Sequence, residues 1–385
     1  MSRPYFSEHS FPVKPLVAAL ALALSQPVWA NPNGATVVRG NASISTSGTT
    51  MTVTNSPGAI INWNGFSIAA NEVTNFVQQN SASTVLNRVT GNDPSSILGS
   101  LNSNGHVWLI NPNGIIFGQN ARIDVAGLVA SSLNISDSDF ANGLHRFTGT
   151  GAEGRVINAG SINANGGPVL LFAPDVENSG IITSANGEII LAAGHSVELA
   201  DSSNPALRVT VTAGGEAVNL GQIIAEGGSA SMVGGLVRQS GVVSASSAVS
   251  EGGRIYFRAD RAVMLETAST TEANGTSGGQ VDIQGDQLLQ TGTVAATGTA
   301  GTGGTVNVQS RFAGLSGQTD VSGTTGGTVS VQAEAILLGG QIAARGSDGA
   351  GGTIRVDAAN ASSGRVVQTA NSVLDAGSQS STGAA

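Results

Sequence analysis

The side chains that could carry out catalysis or bind a metal are few and scattered along this chain. Its 385 residues include four histidines and no cysteine, and three of the histidines, His106, His145 and His195, lie beyond residue 30. Their spacing matches no metal-ligand pattern, and no Gly-x-Ser-x-Gly nucleophile motif is present. We interpret one close acidic pair, Asp137 and Asp139, as a solvated turn after a strand. The sequence therefore predicts no enzyme activity, no cofactor and no metal.

One class of enzyme remains an alternative. β-helical enzymes that cleave polysaccharides would need acidic or arginine side chains grouped on one face, as paired carboxylates are in glycosidases. The only modest cluster is Arg254, Arg258 and Arg261. Their spacing favours outward positions on a strand, so a polysaccharide-active enzyme is the less favoured interpretation of the function.

Composition limits the partners. The formal net charge is −9, charged residues are 11% of the chain, and the only lysine is Lys14. Nucleic acids and anionic lipids are bound through basic surfaces, so we predict no nucleic-acid partner and no stable membrane insertion. Apolar residues make up 40% of the chain, which is enough to form a buried core.

The first thirty residues have the pattern of a cleavable export signal. Arg3 and Lys14 supply positive charge, and the apolar run at residues 16–24 is too short to cross a bilayer as a helix. Val28 and Ala30 suit a signal peptidase, which predicts cleavage after Ala30. We therefore expect the mature chain to begin at Asn31 in the periplasm and to be secreted or displayed at the cell surface.

A repeat of about 25 residues indicates the architecture. Each copy opens with paired glycines followed by alternating apolar and polar residues, the pattern of a half-buried strand. The pairs are Gly227-Gly228, Gly252-Gly253, Gly278-Gly279, Gly303-Gly304, Gly326-Gly327 and Gly351-Gly352. Such a short period leaves no room for crossover helices. It predicts an all-β fold, a right-handed parallel β-helix in which each coil stacks on the one before.

Two asparagine patterns add detail. Asn158, Asn178 and Asn219 each precede a glycine by two residues, which fits either a stacked hydrogen-bonded ladder or a simple turn preference. Asn-Gly pairs at residues 64–65, 104–105 and 142–143 predict β-hairpins in the region that lacks the glycine repeat.

A tight turn stands between two apolar segments at residues 104–118. Asn111, Pro112, Asn113 and Gly114 each suit their place in a type I turn. Asn111 is also pushed to an extended conformation by the proline that follows, so the first strand ends there.

The blocks around this turn identify a resemblance. Residues 83–91 and 120–132 flank it in the order found in the secretion domain of the filamentous haemagglutinin family, which residues 31–228 resemble, most closely its high-molecular-weight adhesin branch. A second Asn-Pro-x-Leu motif, carried by other branches, is absent. The resemblance implies a β-helix with an N-terminal β cap and antiparallel hairpins on its side. The cap would cover strand edges that otherwise invite pairing with other chains.

The resemblance also implies a function and a division of the chain. This would be the secreted exoprotein of a two-partner secretion system, recognised by the POTRA domains of an outer-membrane β-barrel transporter, with an adhesive role toward a receptor or glycan. Residues 1–30 would be the signal peptide, 31–226 the secretion domain, and 227–385 β-helix repeats with a low-complexity end. A truncated piece of a larger adhesin is an alternative. The implied secretion motif comprises Asn111, Pro112, Asn113 and Gly114, with a second block of Asn87, Arg88, Val89, Thr90 and Gly91.

Overall fold

The structure, a computed structural model, describes residues 31–200, 209–358 and 364–378. The predicted signal peptide and the last seven residues of the low-complexity end lie outside the described residues. Within them the chain forms one short helix, α1 (Asp137–Ala141), and many strands. In chain order the strands are β1 (Thr36–Arg39), β2 (Ala42–Ser47), β3 (Thr50–Asn55), β4 (Ala59–Trp63), β5 (Val73–Val77), β6 (Thr84–Val89), β7 (Ser95–Ile97), β8 (Ser100–Ser103), β9 (His106–Ile110), β10 (Ile115–Phe117), β11 (Arg122–Val125), β12 (Gly127–Ser131), β13 (His145–Thr148), β14 (Val156–Asn158), β15 (Ser161–Ala164), β16 (Val169–Ala173), β17 (Val176–Asn178), β18 (Ile181–Ser184), β19 (Glu188–Ala193), β20 (Ser196–Leu199), β21 (Val209–Thr212), β22 (Glu216–Asn219), β23 (Gln222–Ile224), β24 (Ser229–Gln239), β25 (Val242–Ser244), β26 (Arg254–Leu265), β27 (Thr270–Glu272), β28 (Gln280–Gln290), β29 (Thr293–Ala295), β30 (Thr305–Leu315), β31 (Gln318–Asp320), β32 (Thr328–Gln332), β33 (Ala335–Leu338), β34 (Gln341–Ala343), β35 (Thr353–Asp357), β36 (Arg365–Gln368) and β37 (Val373–Asp375).

The strands stack into three parallel faces that wind around one axis. Face A runs β4-β6-β9-β12-β16-β19-β24-β26-β28-β30-β32-β35, and face B runs β7-β10-β14-β17-β22 and then through the second halves of β24, β26, β28 and β30 to β33 and β36. These four long strands join faces A and B into one sheet of 20 strands. Face C is the sheet of 14 strands from β2 to β37. The parallel β-helix predicted from the repeat is confirmed, and each glycine pair directly precedes a face A strand.

The interior is one continuous apolar column. Inward residues of successive strands align in register, as Val107 does with Leu128 and Val169 with Ile189. These side chains are fully or almost fully buried and belong to a single core cluster that runs from Met51 to Ala344. Each coil therefore buries its apolar side chains on the coil before it, which is the main stabilising interaction of a solenoid.

From β4 to β19, face A is apolar on its outer side as well, and a small antiparallel sheet covers this side. Two insertions leave the coil, the lateral insertion (residues 133–155) and a second one that includes residues 194–200 and 209–215. They contribute β13, β20 and β21, which pair antiparallel. A second core cluster, here called the outer cluster, lies between this sheet and face A and includes Trp108, Phe140, Phe147 and Phe172. Burial on both sides explains the unbroken apolar runs of β9 and β16.

The asparagine ladder is present. The side-chain amide of Asn158 donates to Asn178 Oδ1 over 2.8 Å, and that of Asn178 donates to Asn219 Oδ1 over the same distance. Asn219 donates in turn to Gln239 Oε1 over 2.7 Å, and all four side chains are fully buried. Of the two interpretations of the asparagines, the structure shows the hydrogen-bonded ladder, extended by a glutamine.

The N-terminal cap is present, but the Asn-Gly prediction of hairpins is wrong. Strand β2 pairs antiparallel with β3, and β1 with β4, so these strands cover the first coil. The three Asn-Gly pairs at residues 64–65, 104–105 and 142–143 join no antiparallel strands to each other. The first two lie at corners of the coil, and the third follows α1. The prediction failed because a corner and a helix end favour the same residue types as a hairpin turn.

The interpretation of Asp137 and Asp139 as a solvated turn is also wrong. They lie in the first turn of α1, where acidic side chains interact favourably with the N–H groups that have no partner within the helix. The Ser136 side chain caps the helix by accepting a hydrogen bond from the Asp139 N–H. Five residues are too few to show helical periodicity, so this helix could not be predicted from the sequence. In the part of the chain that the structure describes, no helix has the length and apolar character to span a membrane.

Candidate functional site

The predicted turn at residues 111–114 lies at the corner between faces A and B. It joins β9 to β10 and is closed by a 3.0 Å hydrogen bond from the Gly114 N–H to the Asn111 carbonyl. Gly114 has a φ of +106°, which favours glycine, and a Cβ there would lie 2.9 Å from the Arg155 carbonyl oxygen. Glycine is therefore required at this position by both backbone conformation and space.

The Asn111 side chain organises this corner from inside. It is fully buried, and its amide donates to the Asp93 carbonyl and to Ser95 Oγ, both over 3.0 Å. Its Oδ1 accepts from the Asn113 N–H over 3.0 Å, the hydrogen bond of an Asx turn. Asn111 is thus a structural link between the turn and the coil beneath it.

The second predicted block contributes a similar buried amide one coil earlier. The Asn87 side chain points into the core, where its Oδ1 accepts from Trp63 Nε1 over 3.0 Å. Its amide donates to the Trp108 carbonyl over 3.3 Å. Val89 is buried and pairs in register with Trp63. Asn87 therefore connects three successive strands of face A.

The two blocks meet at the surface. The Asn113 side-chain amide donates to the Gly91 carbonyl over 2.9 Å. The Gly91 N–H donates to the Asn64 carbonyl over 3.1 Å, and the Thr90 hydroxyl donates to the Trp63 carbonyl over 3.0 Å. Successive turns thus stack along one corner, here called the motif corner: residues 63–65, 90–95 and 111–114.

Exposure divides the residues of the two predicted blocks and of the motif corner into two groups. Asn87, Val89, Asn111 and Gly114 are buried, whereas the outer positions are accessible. The exposed residues are Asn64, Thr90, Asn92, Asp93, Pro94, Pro112 and Asn113. In the folded protein a partner could contact only this second group.

Arg88 faces outward, away from the core, and contacts the lateral insertion. Its guanidinium donates to Asn134 Oδ1 over 3.2 Å and to the Ile135 carbonyl over 2.8 Å. It also forms a 2.8 Å ion pair with Asp137. This role was not visible in the sequence, because Arg88 and Asp137 are far apart in the chain.

Two of the scattered histidines come together. His106 and His145 line a cleft of about 470 Å³ with Trp108 and Phe140, beside α1. The His145 ring lies 5.2 Å from that of Trp108, and burial lowers the pKa of His106 below its ordinary value. Among the described residues, no group of three or more His, Cys, Asp or Glu side chains is arranged to hold a metal.

Sequence reasoning missed Trp63, Asn64, Ser95 and Gly154 as members of this region. Gly154 donates from its N–H to the Pro112 carbonyl over 2.8 Å. A detectable pattern did exist, because a turn with asparagine and glycine follows β4, β6 and β9 alike. Comparing those three strand ends would have placed Asn64 with the motif.

Comparison with known proteins agrees with the fold. Residues 29–283 match the TPS secretion domain family, where TPS denotes two-partner secretion. The chain superimposes on the crystal structure of the HMW1 secretion domain from Haemophilus influenzae with a TM-score of 0.78 and 31% identity, covering 90% of this chain and 100% of that one.

Two curated relatives are heme/hemopexin-binding proteins of Haemophilus influenzae. One is 38% identical over 184 residues, 45% of this chain, and the other is 36% identical over 102 residues, 26% of this chain. The matches span only 20% and 11% of the length of those relatives. The match over residues 29–283 takes in more than half of the chain, which therefore belongs to the family of two-partner secretion domains.

Proposed function

We propose that this chain is the exoprotein of a two-partner secretion system and that its motif corner directs export. The observation that carries the proposal is the meeting of residues 87–91 and 111–114 at one corner of the coil, in a chain of this family. In this proposal residues 1–30 are a signal peptide that is cleaved after Ala30. The secretion domain then comprises residues 31–226, and regular repeats follow from residue 227.

The partner is an outer-membrane β-barrel transporter with periplasmic POTRA domains. Such domains commonly capture an extended segment by adding it to the edge of a sheet. Recognition uses Asn111, Pro112, Asn113 and Gly114, with Asn87 to Gly91 as a second block. Asn87 and Asn111 are fully buried in the folded protein, so the transporter recognises them before folding is complete. Pro112 and Asn113 are accessible in both the unfolded and the folded chain.

Folding outside the cell supplies the driving force for export through the transporter. An interior side chain such as Val169 or Leu171 is buried on the coil before it, which stabilises the rod by about 1.5–3 kcal/mol per large apolar side chain. A coil that has stacked resists sliding back through the pore, because sliding would expose those side chains again. Nearest-neighbour stability suits such vectorial growth.

The cargo role is adhesion or ligand binding at the cell surface. The names of the curated relatives favour recognition of a host molecule, and a receptor or glycan is the proposed class of partner. Enzymatic action on a polysaccharide is less favoured: Glu188 and Glu251 line a pocket with Arg254, but Arg261, the other exposed arginine of β26, does not line it.

Export of turn variants tests the proposal. Gly114→Ala and Asn111→Ala should lower the fraction of chain in the medium several-fold and raise the periplasmic fraction, with total synthesis unchanged. The first forces a Cβ against the Arg155 carbonyl, and the second removes the buried amide. Asn120→Ala, an exposed position just after β10, is the matched control. Undiminished export of both turn variants would refute a role for the turn.

A further inference from the structure

The lateral insertion is fastened at its start by the block of residues 87–91. Arg88 holds Asn134 and Ile135 through the two hydrogen bonds described above and pairs with Asp137. Its side chain is only 16% exposed, so these charge-assisted contacts are partly shielded from water. The insertion therefore cannot dock at this end without residue 88.

The same insertion is fastened at its end by the turn at residues 111–114 and by Ile115, which follows it. The Gly154 N–H donates to the Pro112 carbonyl over 2.8 Å, and the Ile115 N–H donates to the Arg155 carbonyl over 3.0 Å. A Cβ at Gly154 would lie 2.3 Å from the Asn113 carbonyl oxygen, so only glycine permits this approach. Both recognition blocks thus contact the same stretch of 23 residues, residues 133–155.

Aromatic packing closes the middle of the insertion over face A. The Phe140 ring meets Trp108 edge to face at 5.2 Å, and the Phe147 ring lies 5.8 Å from the same tryptophan. Phe147 is fully buried and also contacts Phe172 at 5.0 Å. These contacts cover Leu86, a member of the outer cluster that lies two residues before Arg88 in β6.

We propose that the lateral insertion is a clasp that closes over Arg88 and the outer side of β6 and β9, beside the turn at residues 111–114, and thereby ends the interaction of the recognition blocks with the transporter. The order of residues along the chain supports this. Residues 87–114 precede residues 133–155, and β20, which pairs with β13, comes later still. Until the clasp folds, the outer side of β6 and β9 with Leu86, Arg88 and Trp108 is uncovered. The inference rests on the proposed function and adds a release step to it.

Amide hydrogen exchange on the purified mature chain tests the clasp without any transporter. Arg88→Gln loosens one end and Gly154→Ala the other. If the clasp is one cooperative unit, each variant raises exchange at the opposite end, at Gly154 for the first and at Asn134 for the second, by at least about tenfold. Matched controls are Arg122→Gln, exposed on face C, and Gly314→Ala, where an added Cβ meets its nearest neighbour at an ordinary 3.4 Å. Faster exchange confined to the substituted end would overturn the proposal.

Binding to the purified periplasmic domains of the transporter tests the consequence. The opened variant Gly154→Ala, in which residues 87–91 and 111–114 are unchanged, should bind at least about tenfold more tightly than the parent, because opening exposes Arg88 and the outer side of β6 and β9 in advance. Equal affinity of the parent and this variant, with a freshly diluted unfolded parent that does bind, would refute the clasp alone. Absence of binding even by that unfolded parent would refute the proposed function and, with it, the release step.

Discussion

The amide ladder offers the most direct test of how the coils are held in register. Asn178 is the central member, since its Oδ1 accepts from Asn158 and its amide donates to Asn219, both over 2.8 Å. The amide also donates to the Gln222 carbonyl over 3.2 Å, and the side chain is fully buried. Replacement by alanine, Asn178→Ala, removes all of these at once.

The magnitude follows from the groups left behind. The Asn158 amide loses its acceptor and Asn219 Oδ1 loses its donor, and both groups are buried, while the Gln222 carbonyl loses a side-chain donor. A buried polar group without a partner costs about 1–3 kcal/mol. With two such groups we expect Asn178→Ala to lower the free energy of unfolding by about 2–5 kcal/mol.

Urea unfolding followed by circular dichroism measures this change. The control is Asn120→Ala, at an exposed position, which should stay within about 0.5 kcal/mol of the parent. A double-mutant cycle of Asn158→Ala with Asn178→Ala should show positive coupling, because the two share a hydrogen bond. If Asn178→Ala costs no more than the surface control, the ladder is not a stabilising element and the reasoning fails.

Two further predictions concern the interior and the cleft. Trp63→Phe leaves the buried Asn87 Oδ1 without its indole donor and should cost about 1–3 kcal/mol in the same urea titration; a change below about 0.5 kcal/mol would contradict the assigned hydrogen bond. Burial lowers the pKa of His106, so the unfolded chain takes up a proton near pH 6.5 while the folded chain stays neutral to lower pH. Stability from this group is therefore full above pH 6.5 and is lost as the pH falls toward the folded pKa. The unfolding midpoint should drop between about pH 7 and about pH 5.5, and His106→Gln should flatten that dependence while His195→Gln, at an exposed position, should leave it intact.

The parallel β-helix could be predicted from the sequence, because each repeat carries its own local pattern of glycines and alternating residues. A glycine pair and an alternating strand recur in every later coil, and most of these glycines lie where backbones nearly touch. A Cβ at Gly253, for example, would lie 2.0 Å from the Gly228 carbonyl oxygen. The ladder was half predicted, since Gln239 has the same spacing to Gly241 as Asn219 has to Gly221 but is a different residue type.

What the sequence did not predict depends on contacts between distant segments. The Asn-Gly pairs suit corners as well as hairpins, and only neighbouring coils decide between the two. Helix α1 is too short for a periodic pattern, and its stability comes from Phe140 packing on Trp108 and Asp137 pairing with Arg88. The motif residues were found through family resemblance, whereas their partners Gly154 and Asn134 became visible only when the coils were stacked.

Dependence of export on a dedicated transporter tests the central claim most directly. The chain would be produced in a Gram-negative host lacking its own two-partner systems, with and without a POTRA-containing outer-membrane barrel of the matching family. The account predicts full-length mature chain in the medium only when the barrel is present, with periplasmic accumulation in its absence. Equal amounts in the medium under both conditions would contradict it.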